Sequence, residues 1–313
     1  MGRRRASNLP DDLKIVSCYD SDSLAALKVA NMLGIKPSPD VERLYSSADA
    51  VLIATTNCTL VPLAMRAIEH NIKHIFIEKP GGINVAQMIR LRAVAESAGA
   101  KVCVGYTLEH HTAIRQMIED VTSGRIGPVM YIRARYGHGA RPNYDREWRA
   151  IPEISGGGHL IDQGVHLIHL VQRLLGETKL MHYSGSANYW QMQEDNAFLV
   201  MAGLNSDDQE ARAFLHTSCT EWVNKFSFEV IGRTGKAEVY GLGGSYGPEV
   251  YRLDAMGLEP RIPDRSVITG MDGTSIGTEL LEWSNLMNES PANIADLRSA
   301  ISTMRIVEKA YNP

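Results

Sequence analysis

Between residues 13 and 120, short β-branched, apolar runs alternate with stretches whose apolar residues recur every three or four positions. That alternation leaves few folds open, because strands joined through helices are brought to lie parallel in one sheet. The expected strands are LKIVSCYD (13–20), AVLIATT (50–56), HIFIEKP (74–80) and KVCVGY (101–106). AVLIATT is apolar at its start throughout, as a strand covered on both faces should be. Helices are expected over 23–33, 60–70 and 85–98, with Gly34 and Gly99 as stop signals. This half reads as doubly wound α/β.

After Gly127-Pro128 the pattern changes. VMYIRARYG (129–137) alternates apolar with polar residues, and short strands recur at 197–204, 211–222, 226–244 and 249–255, which suggests a sheet covered on one face. A Gly-rich turn leads into an amphipathic helix near 160–175; 257–277 reads as a loop, and 278–288 and 293–311 as closing helices. The expected organisation is an N-terminal parallel α/β domain over 1–125 and a C-terminal α+β domain over 126–313. The second carries a large open, mostly antiparallel sheet. A length of 313 residues suits two domains.

Composition narrows the partners. Lys and Arg total 32 against 36 for Asp and Glu, a net charge of −4, so nothing in the overall field attracts nucleic acid or an anionic membrane. Cys18, Cys58, Cys103 and Cys219 show no C-x-x-C pairing, which suits a reducing compartment. The opening MGRRR is followed by ASNLPDDLK, charged where an export signal needs an apolar run, and Ala6 stands where a myristoylation site needs Ser or Thr. A cytoplasmic protein acting on a small molecule is expected.

Parallel α/β sheets bind ligands beyond the carboxyl ends of their strands. A dinucleotide fold places a strand and a G-x-G-x-x-G turn before its first helix, whereas here Met1-Gly2 leads directly into RRRASNLPDD. The expectation is therefore a sheet lacking its first strand, with the natural frame starting upstream at a strand and glycine turn. Asp20 lies 18 residues after Gly2, where a carboxylate accepts ribose hydroxyls and repels a 2′-phosphate, favouring NAD over NADP; it is otherwise a turn carboxylate. Thr55, Thr56 and Asn57 end the next strand with small polar groups, or simply cap a helix. Glu78-Lys79-Pro80-Gly81-Gly82 sets a charged pair at the binding edge, where an ammonium can bond a substrate oxygen; the plain alternative is a surface ion pair.

SGGGHLIDQGVHLIH (155–169) places Asp162 and His166 four residues apart on a helix. A carboxylate beside an imidazole raises its basicity, as removal of a hydroxyl proton requires. With His159 and His169 the stripe admits three readings: satisfied core histidines, a metal site or an acid–base pair.

EKPGG (78–82), VGY (104–106), SGRIGPV (123–129) and the run W-R-x(6)-GGG-x-x-x-D-x-G-V-H (148–166) resemble the glucose–fructose oxidoreductase, inositol dehydrogenase and MocA family over the whole chain. Further stretches, 135–150, 194–198 and 221–247, resemble members associated with sugar and surface-polysaccharide biosynthesis. The resemblance implies a Rossmann-type domain, a C-terminal sheet used in homodimers or homotetramers, and a cleft between the domains. It implies an NAD(P)-dependent oxidoreductase moving a hydride to or from a carbinol or ketone carbon of a sugar, sugar acid or nucleotide-sugar. Lys79, His166 and Asp162 take the catalytic roles. Gly2, Asp20, Thr55, Thr56, Asn57, Glu78, Lys79, Trp148 and Arg149 take the cofactor contacts, and no metal is implied. Departures stand at Arg5, usually histidine; at Thr107-Leu108-Glu109; and at His159 and His169. They leave a second reading, a non-catalytic binding or regulatory protein on a degenerate family fold.

Overall fold

In the computed structural model, which describes residues 1–256, 268–270 and 274–312, the first layer is a parallel sheet. Its strands are β1 (Ala50–Ile53), β2 (His74–Glu78) and β3 (Lys101–Gly105), in that order. Helices α4 (Asn57–Glu69) and α5 (Val85–Ala98) make the crossovers. α5 starts where Asn84 accepts from the Gln87 N–H at 2.9 Å and ends at Gly99, whose φ of +64° suits glycine. Before the sheet come α1 (Gly2–Ala6), α2 (Ser23–Leu33), capped by Asp22, and α3 (Val41–Ser46), capped by Asp40. α3 carries no expectation from the sequence.

The strand expected at 13–20 does not form. That segment makes one parallel bridge, Cys18 with Pro37, and belongs to no described ladder. Its apolar and β-branched residues favour extension, but a strand persists only through hydrogen bonds to a neighbour. Residues 1–105 and 276–301 form one compact unit. Its core packs Phe76 and Cys103 of the sheet against Ile276, Leu280 and Trp283 of α9 (Thr274–Met287). The Phe76 and Trp283 rings meet edge to face at 5.5 Å. Burying a ring such as Phe76 stabilises by roughly 1.5–3 kcal/mol.

The second unit, residues 106–275 and 302–313, is built on an eight-stranded sheet. Its strands are β4 (Val129–Gly137), β5 (Thr178–Ser186), β6 (Asn196–Leu204), β7 (Glu210–Ser218), β8 (Lys225–Gly232), β9 (Gly235–Tyr240), β10 (Glu249–Ala255) and β11 (Ile268–Gly270), ordered β11-β10-β9-β8-β4-β7-β6-β5. β4 and β7 are parallel and the other neighbours antiparallel. Helix α8 (Val165–Leu175) lies against β4, β6 and β7 and buries Leu167, Ile168, Leu170 and Val171 completely. The remaining helices are α6 (Thr112–Thr122), α7 (Pro152–Ser155) and α10 (Leu297–Tyr311).

One sequence expectation needs correcting here, and two elements carry none. The loop over 257–277 falls largely on 257–267 and 271–273, outside the described residues, but 268–270 pair with β10 and α9 begins at Thr274. β5 is an edge strand that TKLMHYSGS does not announce, because most of its side chains face solvent and a bulge interrupts its alternation. α6 is likewise unannounced, although Ala113, Ile114, Met117 and Val121 form its buried stripe. Among the described residues no helix is long and apolar enough to cross a membrane.

Candidate active site

The glycine cluster before α8 is dictated by what packs on it. A side chain at Gly157 would run into the Tyr311 ring, and a Cβ at Gly158 would lie 2.5 Å from Glu194. Glu194 clamps the segment from both main chain and side chain. Its carbonyl accepts from the His159 N–H at 3.0 Å, and its Oε1 accepts from the Leu160 N–H and the Tyr311 hydroxyl, both at 2.8 Å. Burial pushes this carboxyl up to about 7, although its hydrogen bonds pull the other way. Past the clamp the chain enters a π-helical turn, Leu160–Gly164, and then α8. Wide turns of this kind recur at functional sites because they re-aim the side chains they carry.

That turn carries Asp162, buried to 8% exposure. Its Oδ2 accepts from the Tyr144 hydroxyl at 3.3 Å and faces the Arg149 Nε at 3.6 Å. Burial and the adjacent Asp162 carboxylate drive the Tyr144 hydroxyl far above its usual range, so it stays protonated and donates. Arg149 also stacks on the Trp148 ring at 4.6 Å, so two expected contacts form one flat cationic surface beside Asp162. His166 is half-buried on α8, with Tyr106 and Tyr136 edge-on to its ring at 5.9 and 6.0 Å. Aromatic walls on two sides restrain the imidazole while leaving it partly accessible.

The histidine stripe divides. His159 meets His138, at the end of β4, with ring centroids 5.0 Å apart, and together with Asp162 these bring ligand-type atoms within 4.8 Å of one another. His138 Nδ1 accepts from the Ala140 N–H at 2.9 Å, so its neutral ring carries the proton on Nε2, a donor where a metal needs a lone pair. His169 points elsewhere. It stacks on Tyr106 at 4.2 Å, and its Nε2 meets Glu109 at 2.6 Å, while Arg173 holds the other oxygen of Glu109 at 2.6 Å. Burial opposes the charge on Glu109, yet the hydrogen bond and charge of His169, with Arg173, hold it down at about 2. The departures at 109 and 169 are thus two halves of one interaction.

In the first unit, Glu78 and Lys79 end β2 ahead of a cis Lys79-Pro80 peptide. Glu78 is engaged from within its own unit. It binds Arg5 at 2.5 Å, and Arg5, itself fully buried, binds Glu279 at 2.7 Å and lies over Phe76. Although burial alone would lower it, the two carboxylates raise the Arg5 pKa and keep it charged. Lys79 is half-buried beside this cluster's strand end. Thr55 and Thr56 share contacts with Thr59 in the first turn of α4, and Asn57 is buried there, so these groups serve the helix start as well as the strand's binding edge. Asp20 is exposed, with Oδ1 accepting from the Asp22 N–H. Gly2 opens α1. An exposed carboxylate, hydroxyls at a strand's carboxyl end and an ammonium at the next are donors and acceptors that fit the ribose groups of a dinucleotide.

Tyr144, Tyr136, Glu194 and Tyr311 are the site residues that sequence reasoning does not find. Each acts through contacts 18 or more positions away or through a ring edge, and only the stretches 135–150 and 194–198 hint at three of them.

Comparison with known proteins agrees with this architecture. Residues 2–106 match the oxidoreductase family with an NAD-binding Rossmann fold, and residues 111–238 match the GFO/IDH/MocA C-terminal domain. The 2,7-anhydro-N-acetylneuraminate hydratase of Escherichia coli is 26% identical over 55% of this chain and 46% of its own length. The 1,5-anhydro-D-fructose reductase of Ensifer adhaerens is 28% identical over 67% of this chain and 63% of its own. The chain thus spans less than two thirds of these relatives. An inositol dehydrogenase homologue from Azotobacter vinelandii, solved with NAD+, superposes with a TM-score of 0.80 at 19% identity, covering 99% of this chain and 90% of that one, which speaks for the fold. With both of its halves matched, the chain belongs to the GFO/IDH/MocA oxidoreductase family.

Proposed function

We propose that the protein is an NAD-dependent oxidoreductase acting on a carbinol or ketone carbon of a sugar, sugar acid or nucleotide-sugar. The observation that carries this is the partly accessible His166 between Tyr106 and Tyr136, on the helix whose entry turn presents the tethered Asp162. When bound, the nicotinamide cofactor supplies or accepts the hydride. His166 takes the hydroxyl proton in oxidation and returns it in reduction. Asp162, held by Tyr144 and Arg149, orients that imidazole. Lys79 donates a hydrogen bond to the reacting oxygen as charge grows on it. Asp20, Thr55, Thr56, Asn57 and Gly2 hold the adenosine and phosphate portions, and Trp148 and Arg149 the nicotinamide portion. Glu78 serves by holding its strand end through Arg5. The assembly is a homodimer or homotetramer working in the cytoplasm, with a part in polysaccharide biosynthesis.

The test is turnover of a sugar and nucleotide-sugar panel with NAD+ and NADP+, followed by nicotinamide absorbance. His166→Asn and Lys79→Met should each lower kcat by about 10²-fold or more with an unchanged circular-dichroism spectrum. Full activity in both variants contradicts the assignment. The non-catalytic reading predicts that no member of the panel is turned over by the unaltered chain.

A further inference from the structure

Tyr189 and Trp222 are 63% and 61% exposed, an unusual display of aromatic surface outside any described core. They are not loose. The fully buried Asp195 accepts three successive backbone N–H groups, from Asn188 at 3.0 Å, Tyr189 at 2.7 Å and Trp190 at 2.9 Å, and the Trp190 indole donates to the Cys219 carbonyl at 3.1 Å. Trp222 sits at φ +59°, a conformation that costs energy for any residue with a side chain, and its backbone presses so closely on Gly139 that a Cβ there would lie 2.8 Å away. A strained residue and a buried carboxylate both act to present these rings to solvent.

The rings also lead somewhere. Trp222 touches Tyr189 with centroids 4.9 Å apart, Tyr189 touches Trp190 at 4.9 Å, Trp190 reaches Tyr144 at 6.0 Å, and Tyr144 donates to Asp162. A continuous aromatic track therefore runs from the acid–base turn to the exposed pair. Three guanidinium groups along it are already matched: Arg135 with Glu221, Arg141 and Arg149 with Glu147. A diphosphate needs cation charge that these pairs have spent, whereas a neutral ring needs only an apolar face.

We propose that Tyr189 and Trp222 form a stacking subsite for a second, uncharged glycosyl ring, so that the substrate is a glycoside or oligosaccharide whose reacting ring lies toward Asp162. This rests on the sugar oxidoreductase assignment above. Disaccharides of common pyranoses, their parent monosaccharides and UDP-glucose are to be compared by kcat/KM and, independently of turnover, by calorimetric titration, in the wild type, Tyr189→Ala and Trp222→Ala. A disaccharide should exceed its parent monosaccharide by ~10-fold or more, and either substitution should collapse that ratio through KM. Equal use of mono- and disaccharide, a preference for UDP-glucose that survives both substitutions, or substitutions that change only the oligomer mass in light scattering would overturn the subsite. If nothing is turned over, the oxidoreductase assignment has failed, and the titration alone decides: disaccharide binding that Trp222→Ala abolishes upholds the subsite, and its absence in the wild type refutes it.

Discussion

The two units hold buried charge in different ways. In the first, one fully buried guanidinium, Arg5, lies between two carboxylates, Glu78 and Glu279, and all three groups are shut off from water. In the second, Glu109 lies between His169 and Arg173, the latter 39% exposed, while Glu194 takes its hydrogen bonds from neutral donors and has the Asp195 carboxylate beside it. The partners set the outcome: a carboxylate given cations becomes a permanent charge, at about 2 for Glu109, whereas one given only N–H and O–H groups is left near 7. Permanent charges lock elements together under the strand ends. The tunable one lies under the turn that aims Asp162.

The sharpest way to break this contrast is Arg5→Met. It strands two buried carboxylates, so urea unfolding should show a loss of about 3–5 kcal/mol. An unchanged midpoint would mean the triad is more solvated than its burial indicates. Glu109→Gln should cost less, about 1–3 kcal/mol, because an oxygen acceptor remains for His169 and the part-exposed Arg173 can turn to water. Equal losses in the two variants would erase the distinction between the units.

Titration gives smaller effects of opposite sign. Glu109 is depressed, so its contribution is present above the unfolded carboxylate value and is lost as pH falls below about 4.5 toward 2. Glu194 is raised, so the folded state keeps a proton the unfolded chain has lost. Its contribution is fully present below about 4.5 and declines as pH rises through about 7. Glu194→Gln keeps an oxygen acceptor without the titration, and its stability should be flatter between those limits than that of the wild type. Parallel curves would show that Glu194 is ionised throughout.

What could be seen beforehand follows the same physics. The helices Ser23–Leu33 and Val85–Ala98 and the strands Val129–Gly137 and Glu249–Ala255 were legible to the residue, because periodicity and caps are local. The segment 13–20 misled, since its composition favours a strand but its pairing depends on a neighbour. Asp162, His166 and Lys79 stand out as candidates from their motifs alone. The placing of Glu78 against Arg5, and the matching of Glu109 with His169, could not be read that way, because each joins residues 60 or more positions apart that look unrelated along the chain.

The central claim is that His166 manages the proton while a hydride moves between nicotinamide and sugar. Its most direct test is label transfer from NADH deuterated at the transferable position to a keto-sugar, read by mass spectrometry in wild type and His166→Asn. The account predicts deuterium on the sugar carbon with the wild type and about 10²-fold slower labelling in the variant. Labelling at the same rate in both, or no labelling of any sugar by the wild type, would contradict it.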